Sequence, residues 1–321
     1  MMTGPICRIG SRGLTLAWSL LAACFVAGWE TTARPGIAGP RPTVEPQPAG
    51  PRDDPHGTRA RLPADYAEHC RQLRQRLGER PELHIVVQEP FVVIGDEPAD
   101  TVERRGKQTI QWAVDRLRQE YFPRDPQEII DIWLFRDKTS YERHARELFG
   151  QHPSTPFGYY APRHRALVMN IGTGGGTLVH ELVHPFMAAN FPRCPAWFNE
   201  GLASLYEQCG DEGGRIRGYP NWRLRGLQQA IAAGRLGSFA RLCSTTSREF
   251  YGDDRGTNYA QARYLCYYLQ EQDLLATYYH AFRRGAAEDP SGYRTLRETL
   301  GNPDMEQFQQ DWESFILRLR F

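Results

Sequence analysis

The chain has 321 residues, of which 40% are hydrophobic and 12% aromatic. That is a globular composition, long enough to bury a sizeable core in one large domain or two modest ones. Thirty-nine basic residues against 38 acidic ones leave no electrostatic case for binding nucleic acid or an anionic membrane surface, so the function has to be sought in a local site.

Residues 1–33 read as a targeting segment. Arg8 and Arg12 precede a mostly apolar stretch from Leu14 to Ala27 that is too short for a comfortable membrane span, so export to the cell envelope or beyond is the expectation. Three processing routes fit. Leu21-Ala22-Ala23-Cys24 resembles a lipobox, which would lipidate Cys24 and attach the chain to a membrane through its N-terminus; Val26 and Gly28 suit ordinary signal cleavage after Gly28; and an uncleaved anchor is the third. From Arg34 to about residue 61 the sequence carries seven prolines among glycines and charges, a composition unable to bury enough apolar surface to offset ordering, and reads as a disordered tether.

Residues 62–321 form the expected folded domain. Asp65 to Leu77 reads as a helix ended by Gly78 and Pro81. Leu83 to Gln88 and Phe91 to Ile94 are short, β-branched and separated by Glu89-Pro90, which predicts two strands. Thr101 to Tyr121 carries Ile110, Ala113, Val114 and Leu117 at helical spacing, Ile129 to Phe135 reads as a buried strand, and Tyr141 to Phe149 as a helix closed by Gly150. A hairpin then follows, Phe157 to Tyr160 and Ala166 to Asn170, at the edge of the sheet. This alternation predicts an α+β fold, a mixed sheet with helices packed on it. Beyond it the chain turns mostly helical: Asn221 to Ala233, Asn258 to Gln272, Leu274 to Arg284 and Met305 to Leu319. Gly210 to Gly218 and Thr245 to Gly256 read as polar loops beside a cleft between 62–191 and 192–321.

The chemistry concentrates at His180-Glu181-Leu182-Val183-His184. Two histidines four apart lie on one face of a helix, one turn apart, and both imidazoles can reach a single ion. Zinc held by two imidazoles and one carboxylate keeps a fourth position for water, whose pKa the cation lowers. Glu181, about 100° round the helix from His180, points at that water and can take its proton. Pro185 follows His184 directly and predicts a bend there, because proline cannot complete the helical hydrogen bond to Glu181. Gly172 to Thr177 opens the helix without the lysine of a phosphate loop, which argues against nucleotide binding and for close backbone approach.

Taken together, His180-Glu181-Leu182-Val183-His184 and Trp197-Phe198-Asn199-Glu200-Gly201-Leu202-Ala203 resemble the gluzincin metallopeptidases. The aminopeptidase-N branch has a segment much like Pro195 to Ser204, a few residues further on; the shorter spacing here is more similar to the peptidase-MA-like proteins of bacteria. The resemblance covers roughly Phe157 to Tyr268 and implies His180, His184 and Glu200 as zinc ligands, Glu181 as general base, and Tyr259 as donor to the developing oxyanion, with Tyr264, Arg263 and His280 as weaker candidates. It also implies that the edge hairpin pairs with extended substrate. The glycine and glutamate-bearing signature with which aminopeptidases hold a free amino terminus is absent, which favours an endopeptidase acting on peptide or protein. The rival expectation is a non-catalytic zinc-binding envelope or interaction domain, against which an intact Glu181 argues; zinc-dependent hydrolysis of a non-peptide amide is a third. With Cys7 and Cys24 set aside, five cysteines remain, so at least one is unpaired, and a bridge between Cys194 and Cys209 would clamp the Glu200 helix.

Overall fold

A computed structural model describes residues 62–153, 155–252 and 257–321; the expected signal, Cys24 and the Pro-rich tether lie outside the described residues. All described residues fall within one compact unit.

The first half is a five-stranded mixed sheet. Its strands are β1 (His84–Gln88), β2 (Phe91–Gly95), β3 (Ile130–Phe135), β4 (Gly158–Ala161) and β5 (Ala166–Asn170), in the order β1-β2-β3-β5-β4. The central pairs β2/β3 and β3/β5 are parallel, and both outer pairs are antiparallel hairpins. Alternation of side chains along a strand divides the sheet between two cores. Phe91, Val93, Ile132, Leu134, Leu167 and Met169 face one; Val92, Ile94, Trp133, Phe135 and Val168 face the other. The smaller core is covered by α1 (Pro63–Leu77) and α4 (Lys138–Phe149). Asp131 also faces it, 3% exposed, and His69 on α1 meets its carboxylate at 2.7 Å.

The larger core is covered by one long helical run and by the helix carrying the paired histidines. The run is α2 (Ala99–Arg105), a π-helical stretch (Gly106–Gln111) and α3 (Trp112–Glu120), matching the helix expected over Thr101 to Tyr121. The histidine helix, α5 (Gly176–Asn190), puts Leu178, Val179, Leu182, Val183, Phe186 and Met187 in the core. It continues through Pro185 to Asn190.

The second half is mostly helical, as expected: α6 (Ala196–Leu205), α7 (Arg223–Ala232), α8 (Phe239–Cys243), α9 (Ser247–Gly252), α10 (Thr257–Glu271), α11 (Leu275–Gly285), α12 (Tyr293–Thr299) and α13 (Met305–Arg318). Two stretches read as loops are ordered. Cys209 to Gly218 is a hairpin, β6 (Cys209–Glu212) and β7 (Arg215–Gly218), turned at Gly213 and Gly214, both at positive φ. Thr245 onward contains α9, which lies against α6. Helices α6 and α10 pack very closely: a Cβ on Gly201 would stand 3.0 Å from the Ala262 carbonyl oxygen, which accounts for glycine beside Glu200. Among the described residues, no helix is long and apolar enough to cross a membrane.

Candidate metal centre

The two imidazoles of α5 and the carboxylate of α6 converge. His180 Nε2 lies 3.4 Å from Glu200 Oε2 and His184 Nε2 lies 4.0 Å from Glu200 Oε1. One donor atom from each of the three residues falls within 4.8 Å of the others, and this is the one such cluster of His, Cys, Asp or Glu among the described residues. The imidazole rings sit edge to face with centroids 5.0 Å apart, as positions one turn apart on a helix allow. His180 is 9% exposed and Glu200 7%.

Behind the three clustered side chains stand further residues that sequence reading did not find. His184 Nδ1 lies 3.1 Å from Asn199 Oδ1, so the ring donates to the amide oxygen and keeps its Nε2 lone pair toward the cluster. His180 Nδ1 faces Glu207 Oε1 at 3.5 Å, an electrostatic contact outside hydrogen-bond geometry. Glu207 is itself gripped by Arg223, through Nη2 at 2.7 Å and Nε at 3.0 Å, and by Asn221 Nδ2 at 2.9 Å. The Tyr251 hydroxyl donates to Glu200 Oε1 at 2.8 Å. Asn199 adjoins Glu200 and could have been singled out for that. Glu207 lies just past the end of α6, which carries Glu200, a weak signal, and Tyr251 gave none.

The charges of the cluster hold one another. Burial alone would push the His180 imidazole down, but the carboxylates of Glu200 and Glu207 outweigh it and raise its pKa to about 10. Burial alone would raise Glu200; its hydrogen bond to His180, the two imidazoles and the Tyr251 hydroxyl bring it to about 2. Glu207 is likewise held far below the usual carboxylate range, against burial, by Arg223 first and then by His180.

Two imidazoles and a carboxylate, with a hydrogen-bond acceptor facing the rear nitrogen of each ring, fit a divalent metal ion. The set suits zinc and does not exclude its divalent neighbours. Neither a family model nor a curated protein matches the chain.

The remaining sequence candidates are spread differently. Glu181 is half-buried on α5, and its charge is among the influences that, after burial, raise the Tyr141 phenol. Tyr259 packs beside Tyr251, ring centroids 6.3 Å apart, with the Arg223 guanidinium 5.2 Å over its ring. Tyr264 is fully buried, its hydroxyl bonded to the Asn221 backbone, and Arg263 is buried with its guanidinium on the carbonyls of Ser204, Leu205 and Tyr219. His280 reaches the Glu120 carbonyl at 3.1 Å. These three are packing and hydrogen-bonding residues. The bridge between Cys194 and Cys209 is not formed: both thiols are free, and Cys194 Sγ approaches the carbonyl of its neighbour Pro195 at 3.6 Å.

Proposed function

We propose that the protein is an exported zinc metallopeptidase that hydrolyses internal peptide bonds. The observation that carries this reading is the meeting of His180, His184 and Glu200, two segments of the chain apart, with donor atoms within 4.8 Å. Zinc in that position supplies electrophilic polarisation of a carbonyl and acidifies water. His180 and His184 would hold it from α5 and Glu200 from α6. Glu181 is the general base, a carboxylate one residue from a ligand and not itself part of the donor cluster. It takes a proton from water and later returns one to the leaving amine. The Tyr251 hydroxyl reaches the cluster at Glu200 with Tyr259 packed beside it, and the resemblance to gluzincins gives the role of oxyanion donor to Tyr259.

Metal analysis and peptide-library cleavage, with the wild type beside Glu181→Gln, test the reading. About one zinc per chain is expected in both proteins, as a three-ligand site implies, with cleavage in the wild type alone. Equal cleavage by both removes Glu181 as base, and a chain that binds no metal removes the site.

A further inference from the structure

We infer that Tyr251 is a positioning residue with two duties: its hydroxyl fixes how Glu200 presents its carboxylate, and its exposed ring is the wall that receives an apolar or aromatic side chain of the substrate. The second duty rests on the peptidase reading. The first does not.

The hydroxyl's role follows from the asymmetry it imposes on Glu200. Oε1 accepts from Tyr251 at 2.8 Å, whereas Oε2 is the oxygen that comes nearest an imidazole, 3.4 Å from His180 Nε2. A carboxylate with one oxygen engaged by a phenol is fixed in rotation and offers the other. Without that bond the Glu200 side chain has the same backbone and loses the restraint on its terminal torsion.

The ring's role follows from its exposure and surroundings. Tyr251 is 51% exposed although its hydroxyl is committed inside the site. It is braced from behind by Phe250, 0% exposed with centroids 5.5 Å apart, and flanked by Tyr259 at 6.3 Å. An aromatic face held at both its hydroxyl and its edge presents a rigid apolar surface beside the ligand. Among the described residues, the Glu200 carboxylate that the hydroxyl meets is already engaged by His180, and Arg223, over the Tyr259 ring, is engaged by Glu207. An apolar or aromatic substrate side chain gains contact with the Tyr251 face without shedding hydration, which a charged one would have to do.

Two variants of the full chain separate the duties. Tyr251→Phe keeps the ring and removes the hydroxyl; Tyr251→Ala removes both, at a position exposed enough for the fold to survive. Zinc affinity is read by competition with a chromophoric chelator, and side-chain preference from the cut sites in a peptide library. Tyr251→Phe should lose about ten- to hundredfold in zinc affinity, the usual effect of deleting a ligand's hydrogen-bond partner, and keep the apolar preference. Tyr251→Ala should lose both, the preference falling roughly tenfold. Wild-type zinc affinity in Tyr251→Phe overturns the hydroxyl's role, and an undiminished apolar preference in Tyr251→Ala overturns the ring's. A wild type that binds zinc and cuts no peptide sinks the peptidase reading and the ring's role with it, and the hydroxyl's role is still decided by the zinc titration.

Discussion

An imidazole has two nitrogens, and a metal centre works only if the right one carries the lone pair. At His184 the neighbouring Asn199 oxygen accepts from Nδ1, and at His180 the Glu207 carboxylate faces Nδ1 at 3.5 Å, held there by Arg223 and Asn221. Glu207→Gln should cost about ten- to hundredfold in zinc affinity, and should lower stability because it removes the carboxylate charge that Arg223 and Asn221 hold; zinc titration and urea unfolding read the two effects. The same residues set a pH window for the metal-free protein. Glu200, depressed to about 2, contributes stability that is present above its unfolded value and is lost as pH falls toward 2. His180, raised to about 10, contributes stability that is full below its unfolded value and fades as pH rises to 10. These are two views of one interaction, so stability in a chelator should be greatest between the two unfolded values, near pH 5 to 6. If His180 is a zinc ligand, binding would have to release its proton, and zinc affinity should climb about tenfold per pH unit through neutrality. An affinity flat with pH would show that His180 gives up no proton to the metal.

At the scale of elements, the glycines ahead of α5 show how the site is assembled. A Cβ on Gly176 would stand 1.9 Å from the Glu207 carbonyl oxygen, so the first turn of the histidine helix lies directly against the segment that carries its outer carboxylate. Gly175 has ordinary φ of −81° and its Cβ would meet only the Thr109 methyl, at 3.4 Å. Gly176→Ala must therefore push Glu207 and α5 apart, and a displacement of about 1 Å at such a site costs on the order of a hundredfold in activity. Gly175→Ala should leave activity and zinc affinity near wild type. Measuring both variants side by side distinguishes close packing from the mere loss of a flexible residue: equal damage in the two would mean that flexibility, not contact, is what the glycines provide.

At the scale of the molecule, the sheet and the long helices were legible because each is announced locally, by alternation in the strands, by apolar spacing in the helices, and by stops such as Gly150 at φ 64°. The hairpin of β6 and β7 was read as loop because its strands are four residues long and mostly polar, and only Gly213-Gly214 marked a turn. The three clustered residues, His180, His184 and Glu200, were legible as a motif, but Glu207 and Tyr251 were not, since their contacts exist only once α5, α6 and α9 have packed. That dependence runs both ways. An ion held between α5 and α6 as proposed would bind the folded chain and not the unfolded one, so it should stabilise the whole fold by mass action, by about 4 kcal/mol at a thousandfold excess over its Kd. For a folded domain of this size that is a rise of roughly 10 °C in Tm. Adding zinc to the chelator-stripped protein in a calorimeter should give that shift in the wild type and in Glu181→Gln, which keeps all three donors, and should give almost none in His184→Ala, which breaks the cluster. A shift of the same size in His184→Ala would place the stabilising ion somewhere other than between these two helices.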